Sequence, residues 1–162
     1  RAYGQGGRQA LGSKPGNIWD HFAVEYEYPN GVRMFSQCRQ IDGTTGRVSE
    51  AVVGTKGSSD PQGSIRLADG QSWSFTGPRV NGQVQEHTDL IAAIRTGKHV
   101  NETQQVAEST MTAIIGRESA YSGKAIVWDE AMQWTTSILP EKLEWGPAPV
   151  RPVPMPGKHE MT

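Results

Sequence analysis

The chain has a single cysteine, Cys38, among 162 residues, so no disulfide can form within it and no cysteine pair can hold zinc. No run of about 18 apolar residues occurs, which leaves no candidate membrane-spanning helix, and no signal peptide is visible at its start. Sixteen basic residues stand against seventeen acidic ones. That balance removes the electrostatic footprint of a nucleic-acid or anionic-membrane binder. Neither G-x-S-x-G nor H-E-x-x-H is present, and His21, His87, His99 and His159 are too dispersed to assemble a metal site without coincidence. Gly4, Gly6 and Gly7 approach a dinucleotide-binding loop, but the third glycine of G-x-G-x-x-G would fall on Gln9 and no helix can follow before Pro15. A glycine-rich strand with close backbone contacts is the simpler reading of residues 1–11.

What the chain does have is turns. Nineteen glycines, ten prolines and a 35% hydrophobic share describe one polar, turn-rich globular domain long enough to bury a single core. It begins Arg1-Ala2-Tyr3, which reads as a piece of a longer protein.

The most informative stretch is Asp20 to Gln40, DHFAVEYEYPNGVRMFSQCRQ. A two-residue turn at Asn30-Gly31 would pair Tyr26 with Phe35 and Phe22 with Arg39, mixing apolar and charged groups on one face. A three-residue loop, with Pro29-Asn30 at the centre of a type I turn and Gly31 left-handed, instead pairs Tyr28 with Val32. Phe22, Val24, Tyr26 and Tyr28 then share an apolar face with Cys38, Ser36, Met34 and Val32. His21, Ala23, Glu25 and Glu27 share the other with Arg39, Gln37, Phe35 and Arg33. A slip of one residue would bury the charges, so this register is the one expected. It also puts Cys38 in the core as an inert thiol.

Further strands are expected at Val48 to Thr55, Ser64 to Leu67 and Ser72 to Phe75, with Asp69-Gly70 turning the last pair into a hairpin and Lys56 to Gly63 as a loop. From Val84 to Thr96 the apolar period becomes helical, with His87, Leu90, Ile91 and Ile94 on one stripe and Gly97 as the stop. A second helix starts at an Asn101 cap with Gln104 as capping-box partner, carries Val106, Thr110, Ala113, Ile114, Arg117 and Tyr121 on its stripe widened by Met111 and Ile115, and stops at Gly123. A short strand at Ala125 to Trp128 and a last turn capped by Asp129 complete the expected elements. The fold class is α+β: an open, mostly antiparallel sheet of about six strands with two main helices on one face. Residues 1–135 form the domain. Residues 136–162, with Pro140, Pro147, Pro149, Pro152, Pro154 and Pro156, form an extended tail, disordered or laid along a surface, whose first half Leu139, Leu143 and Trp145 could anchor.

The segments GGRQ at 6–9, GNIWDHFAVEYEYPNGVRMFSQCRQIDG at 16–43, VSEAVVGTKG at 48–57, QEHTDLIAAIRTGK at 85–98 and NETQQVAESTMTAIIGRESAYSGKAIVWDEAM at 101–132 resemble the C-terminal half of Gfo/Idh/MocA-type oxidoreductases. The nearest likeness is to the bacterial branch labelled NADH-dependent dehydrogenase. The resemblance implies a substrate-binding and oligomerisation domain, whose own N-terminal Rossmann domain would hold NAD or NADP and the catalytic lysine. The cofactor fingerprint, the Glu-Lys-Pro motif and the family's His/Asp motif have no counterpart here, so no catalytic residue is assigned and the fragment alone is expected to be inactive. The implied substrate is a sugar, polyol or related hydroxylated compound. Arg8, His21, Gln37, Arg39 and His87 are the candidate substrate-facing residues, from the hairpin register and from the family's open face. His87 also lies on its helix's apolar stripe, which suits a structural role. The alternative is a non-catalytic assembly module whose open sheet face makes a homo-oligomer contact. The expected location is the cytoplasm, or the periplasm for a parent exported by a twin-arginine signal.

Overall fold

The computed structural model describes residues 1–140, 142–147 and 150–160. In chain order the strands are β1 (Ala2–Gly7), β2 (His21–Glu27), β3 (Arg33–Arg39), β4 (Val52–Gly54), β5 (Gly57–Asp60), β6 (Ser64–Leu67) and β7 (Ser72–Ser74). The helices are α1 (Gly82–Thr96), α2 (Thr103–Ser122) and the single turn α3 (Trp128–Ala131). The fold is α+β with two antiparallel sheets, of three strands (β1-β2-β3) and four (β4-β5-β6-β7). That replaces the single sheet expected from the sequence. The chain divides into two compact units, residues 1–43 with 102–162, and residues 44–101.

In the first unit the hairpin has the expected register: His21 faces Arg39, Phe22 faces Cys38, Ala23 faces Gln37, and so on to Glu27 facing Arg33. The Tyr28 amide donates to Val32 O at 2.8 Å. The loop itself departs from a type I turn, because Asn30 (φ 64°, ψ 20°) and Gly31 (φ 76°) are both left-handed. Asparagine tolerates that region because its short side chain bonds locally, and Pro29 before it favours turns with positive φ at the following residue.

Strand β1 adds antiparallel to β2, from Ala2 opposite Tyr26 to Gly7 opposite His21. The core comprises Ala2, Val24, Tyr26, Ile115, Ile126 and Ala131, with Met111, Trp128 and Trp134 packed against it. A second cluster gathers Trp19, Ala120 and Tyr121 beside Phe22. Two glycines set how closely α2 lies on the sheet. A methyl group at Gly4 would come within 2.6 Å of the Ala120 amide nitrogen, and one at Gly116 would run into the Tyr26 hydroxyl. Ser119 completes the seam by accepting from Gly4 N at 2.8 Å and donating to Lys124 O at 2.7 Å.

Small residues at this seam also explain why the buried stripe of α2 differs from the expected one. Ile115, Gly116 and Glu118 to Ser122 are buried, whereas Val106 is 59% exposed. The helix begins at Thr103 with Glu102 at its N-cap, and Gln104 donates along the helix to Glu108 rather than closing a capping box. It stops at left-handed Gly123, as expected. The strand expected at Ala125 to Trp128 is reduced to one bridge, Ile126 with Ala2, and Val127, not Asp129, is the N-cap of α3.

Strand β3 is exposed along all seven residues, because α2 packs across β1 and β2. Cys38 is therefore exposed, contrary to the core position expected of it. The proline-rich tail is laid along the unit at its far end. Pro154 is buried and accepts from the Trp19 indole at 3.3 Å, Gly157 N donates to Ser122 O at 2.9 Å, and His159 Nε2 pairs with Glu118 Oε2 at 3.0 Å. Leu139, Leu143 and Trp145 do not anchor it; they are 71%, 85% and 104% exposed. Pro149 lies outside the described residues.

In the second unit β6 and β7 form the expected hairpin, with left-handed Gly70 and Asp69 Oδ1 accepting from Gln71 N at 2.9 Å. Strand β5 occupies what the sequence marks as loop. Its GSSD run is polar, yet it pairs with β4 on one side and β6 on the other. Helix α1 is capped by the Asn81 side chain and stopped by left-handed Gly97. Among the described residues this unit buries none below the surface, α1 included.

Candidate functional site

Alternation along the three-stranded sheet turns Val24 and Tyr26 toward α2 and leaves a second, uncovered face. On that face one rung runs Gly7, His21, Arg39, the next Gln5, Ala23, Gln37, and the next Tyr3, Glu25, Phe35. Cross-strand neighbours in such a rung have β-carbons about 5 Å apart, close enough for two long polar side chains to share one ligand. The far end of the face is self-neutralised, since Arg33 pairs with Glu25 and lies 3.8 Å from Glu27.

His21 is held from behind. Its Nδ1 lies 2.8 Å from Asp20 Oδ1, with the His21 side chain 34% exposed and that of Asp20 fully buried. Asp20 Oδ2 accepts from Ala10 N at 2.7 Å and Leu11 N at 3.1 Å. Burial alone would raise the Asp20 carboxyl, but the His21 ring and the Leu11 and Ala10 amides together hold it below the ordinary aspartate value. The backbone of Asp20 is tied on both sides, its amide to Gly7 O at 3.0 Å and its carbonyl to Gln40 N at 2.8 Å. Trp19, one residue earlier, is buried and stacks on Phe22.

The remaining expected residues fall in different places. Arg8 sits beside this corner, but its guanidinium donates to Ile18 O at 2.6 Å, Lys14 O at 2.6 Å and Gly12 O at 3.3 Å, which folds the 12–18 loop. Gln37 and Arg39 are on the open face of β3. His87 belongs to the second unit, with its side chain 72% exposed and Nδ1 2.7 Å from Gln83 O. It is not on a buried stripe. The structure thus brings His21, Gln37 and Arg39 together and adds Asp20, which the sequence reading left out. The signal available was the adjacency Asp20-His21 itself.

Compared with family models, curated proteins and solved structures, the chain matches none.

One cleft, of about 910 Å³, lies in the first unit at the opposite end of the hairpin, between Tyr28, Asn30, Gln105, Glu108, Trp128 and Asp129. Among the described residues, none of the five expected ones lines it. The glycines at 4, 6 and 7 are part of β1, paired with β2 across their whole length. They form no loop at a helix N-terminus, so these residues do not fit a dinucleotide.

Proposed function

We propose that this chain is the substrate-contacting domain of a Gfo/Idh/MocA-type oxidoreductase, acting on a sugar, polyol or related hydroxylated compound beside a Rossmann domain that carries NAD or NADP. The observation that carries the reading is the end of the open sheet face, where a histidine fixed by a buried carboxylate stands across one rung from an arginine, with a glutamine on the next. Amide, imidazole and guanidinium on a rigid sheet are suited to ordering hydroxyls and carbonyl oxygens of a small molecule. The resemblance of residues 1–135 to that family supplies the redox part of the proposal; the glycines of β1 lie in a paired strand and offer no dinucleotide-binding loop. In the enzyme that joins this domain to its Rossmann half, Arg39→Ala should raise KM about tenfold or more, the cost of one charge-assisted hydrogen bond. An unchanged KM in both Arg39→Ala and His21→Ala would remove the face from the site.

A second reading has its own observation. Phe35 is 69% exposed and Tyr3 42% exposed on either side of Glu25, on the same face. Two aromatic side chains on an open sheet suit a contact with a second copy of the chain. Sedimentation of Phe35→Glu against the unaltered chain tests it: dimers lost in the variant support the subunit contact, and two monomers at high concentration dismiss it.

A further inference from the structure

The outer rung has a polarity that narrows the ligand. Asp20 Oδ2 accepts two backbone N–H groups, at 2.7 and 3.1 Å, and these bonds with the His21 contact outweigh burial and hold the carboxyl below its ordinary value, so at neutral pH and above it is ionised and its other oxygen can only accept. The His21 ring therefore donates from Nδ1 to Asp20 Oδ1 across 2.8 Å. In the neutral ring that places the lone pair on Nε2, which becomes an acceptor toward whatever occupies the open face. Across the rung, Arg39 offers donors only. Arg39 already has an interaction of its own in the structure, which a ligand carboxylate would share or displace. Gln37, one rung along, can do either.

An acceptor beside a donor-only cation does not suit a neutral polyol in particular, nor a simple carboxylate. It suits a ligand that presents a hydroxyl next to an anionic oxygen. We propose that the rung binds a hydroxy acid, the carboxylate on Arg39 and an adjacent hydroxyl donating to His21 Nε2, and that Asp20 is the positioning residue that fixes this polarity. The proposal rests on the reading of the open face as a ligand surface and goes further, by naming polyhydroxy carboxylates as the class. Asp20 can hold its post because its surroundings do not yield. Its carboxylate is pinned by Ala10 and Leu11, its backbone by Gly7 and Gln40, and the preceding Trp19 by Pro154 O at 3.3 Å.

Two measurements on the whole chain test this. Long-range 1H–15N spectra of the His21 ring at pH 8 should show an unprotonated Nε2. In Asp20→Asn the amide must turn its oxygen to the Ala10 and Leu11 N–H groups and its NH2 to Nδ1, so the ring should switch to the Nε2–H form. Amide spectra that stay native outside residues 8–22 and 37–40 show that the variant is folded. Titration with D-gluconate, myo-inositol and propionate should then give site-centred shifts at His21 and Arg39 with gluconate. The other two should bind about tenfold or more weakly, and the gluconate affinity should fall by a similar factor in Asp20→Asn. A native Nε2–H ring, or no change of tautomer in the folded variant, overturns the role of Asp20. Equal binding of myo-inositol overturns the hydroxy-acid assignment while leaving a ligand face in place, whereas absence of any shift with all three compounds removes the face itself.

Discussion

At the scale of single residues, two kinds of group decide how the first unit works: glycines that admit a helix and a carboxylate that anchors a histidine. Gly116→Ala forces a methyl group against the Tyr26 hydroxyl and ring. Overpacking of this kind costs about 1–3 kcal/mol, read as a lower urea midpoint, and Tyr26→Phe in the same chain should recover part of the loss. Asp20 gives a pH signature. Its folded-state value is lowered by the His21, Leu11 and Ala10 hydrogen bonds acting against burial, so its contribution to stability is complete above the ordinary aspartate value of about 3.9. It is lost as pH falls through the lower folded-state value. Asp20→Ala should therefore be less stable than the unaltered chain at pH 7, and the gap should close in acid below about pH 4. A gap that persists unchanged at pH 2 would show that the carboxylate's charge is not what matters. Only the adjacency of Asp20 to His21 is readable in the sequence; its other partners are the backbone amides of Ala10 and Leu11, about ten residues away, which no side-chain pattern advertises.

At the scale of elements, what was legible was what alternation and stop signals dictate. The β2–β3 register, the Asp69-Gly70 hairpin and the glycine stops of α1 and α2 all follow from side-chain period and from left-handed glycine. Less legible were features set by packing elsewhere. The polar strand β5 forms because β4 and β6 both offer it hydrogen bonds, and the buried stripe of α2 follows the small residues Gly116, Ser119 and Ala120 that allow contact with β1. The same cause misplaced Cys38: alternation puts it on the helix-facing side, but β3 stays exposed along its whole length. The native chain should accordingly react with Ellman's reagent at a rate close to that of the urea-unfolded chain. Protection by a hundredfold or more, typical of a core thiol, would restore the buried reading. The C-terminal strap is a further element that composition describes only as proline-rich. His159 faces a Glu118 side chain that is 6% exposed, so His159→Ala leaves that carboxylate with Arg117 alone and should cost roughly 1–3 kcal/mol.

At the scale of the whole molecule, burial is unevenly shared. The buried residues of the described chain lie in the first unit, while apolar groups of the second, such as Trp73 (55% exposed), Leu90 (57%) and Ile94 (71%), stay at its surface. Backbone amides with few buried neighbours open at low free energy. Hydrogen exchange should thus be slow in β1, β2 and the second half of α2 and fast throughout residues 44–101; uniform protection across both units would contradict this division. The functional account needs only the first unit, and within it only one end of one face. Its most direct test is a residue-resolved map of amide shifts on the intact chain titrated in turn with D-glucose, D-glucitol and D-gluconate. The account predicts perturbations centred on Gly7, His21, Gln37 and Arg39 with at least one of the three. Perturbations centred instead on Gln105, Glu108 and Trp128, or none with any of them, would contradict it.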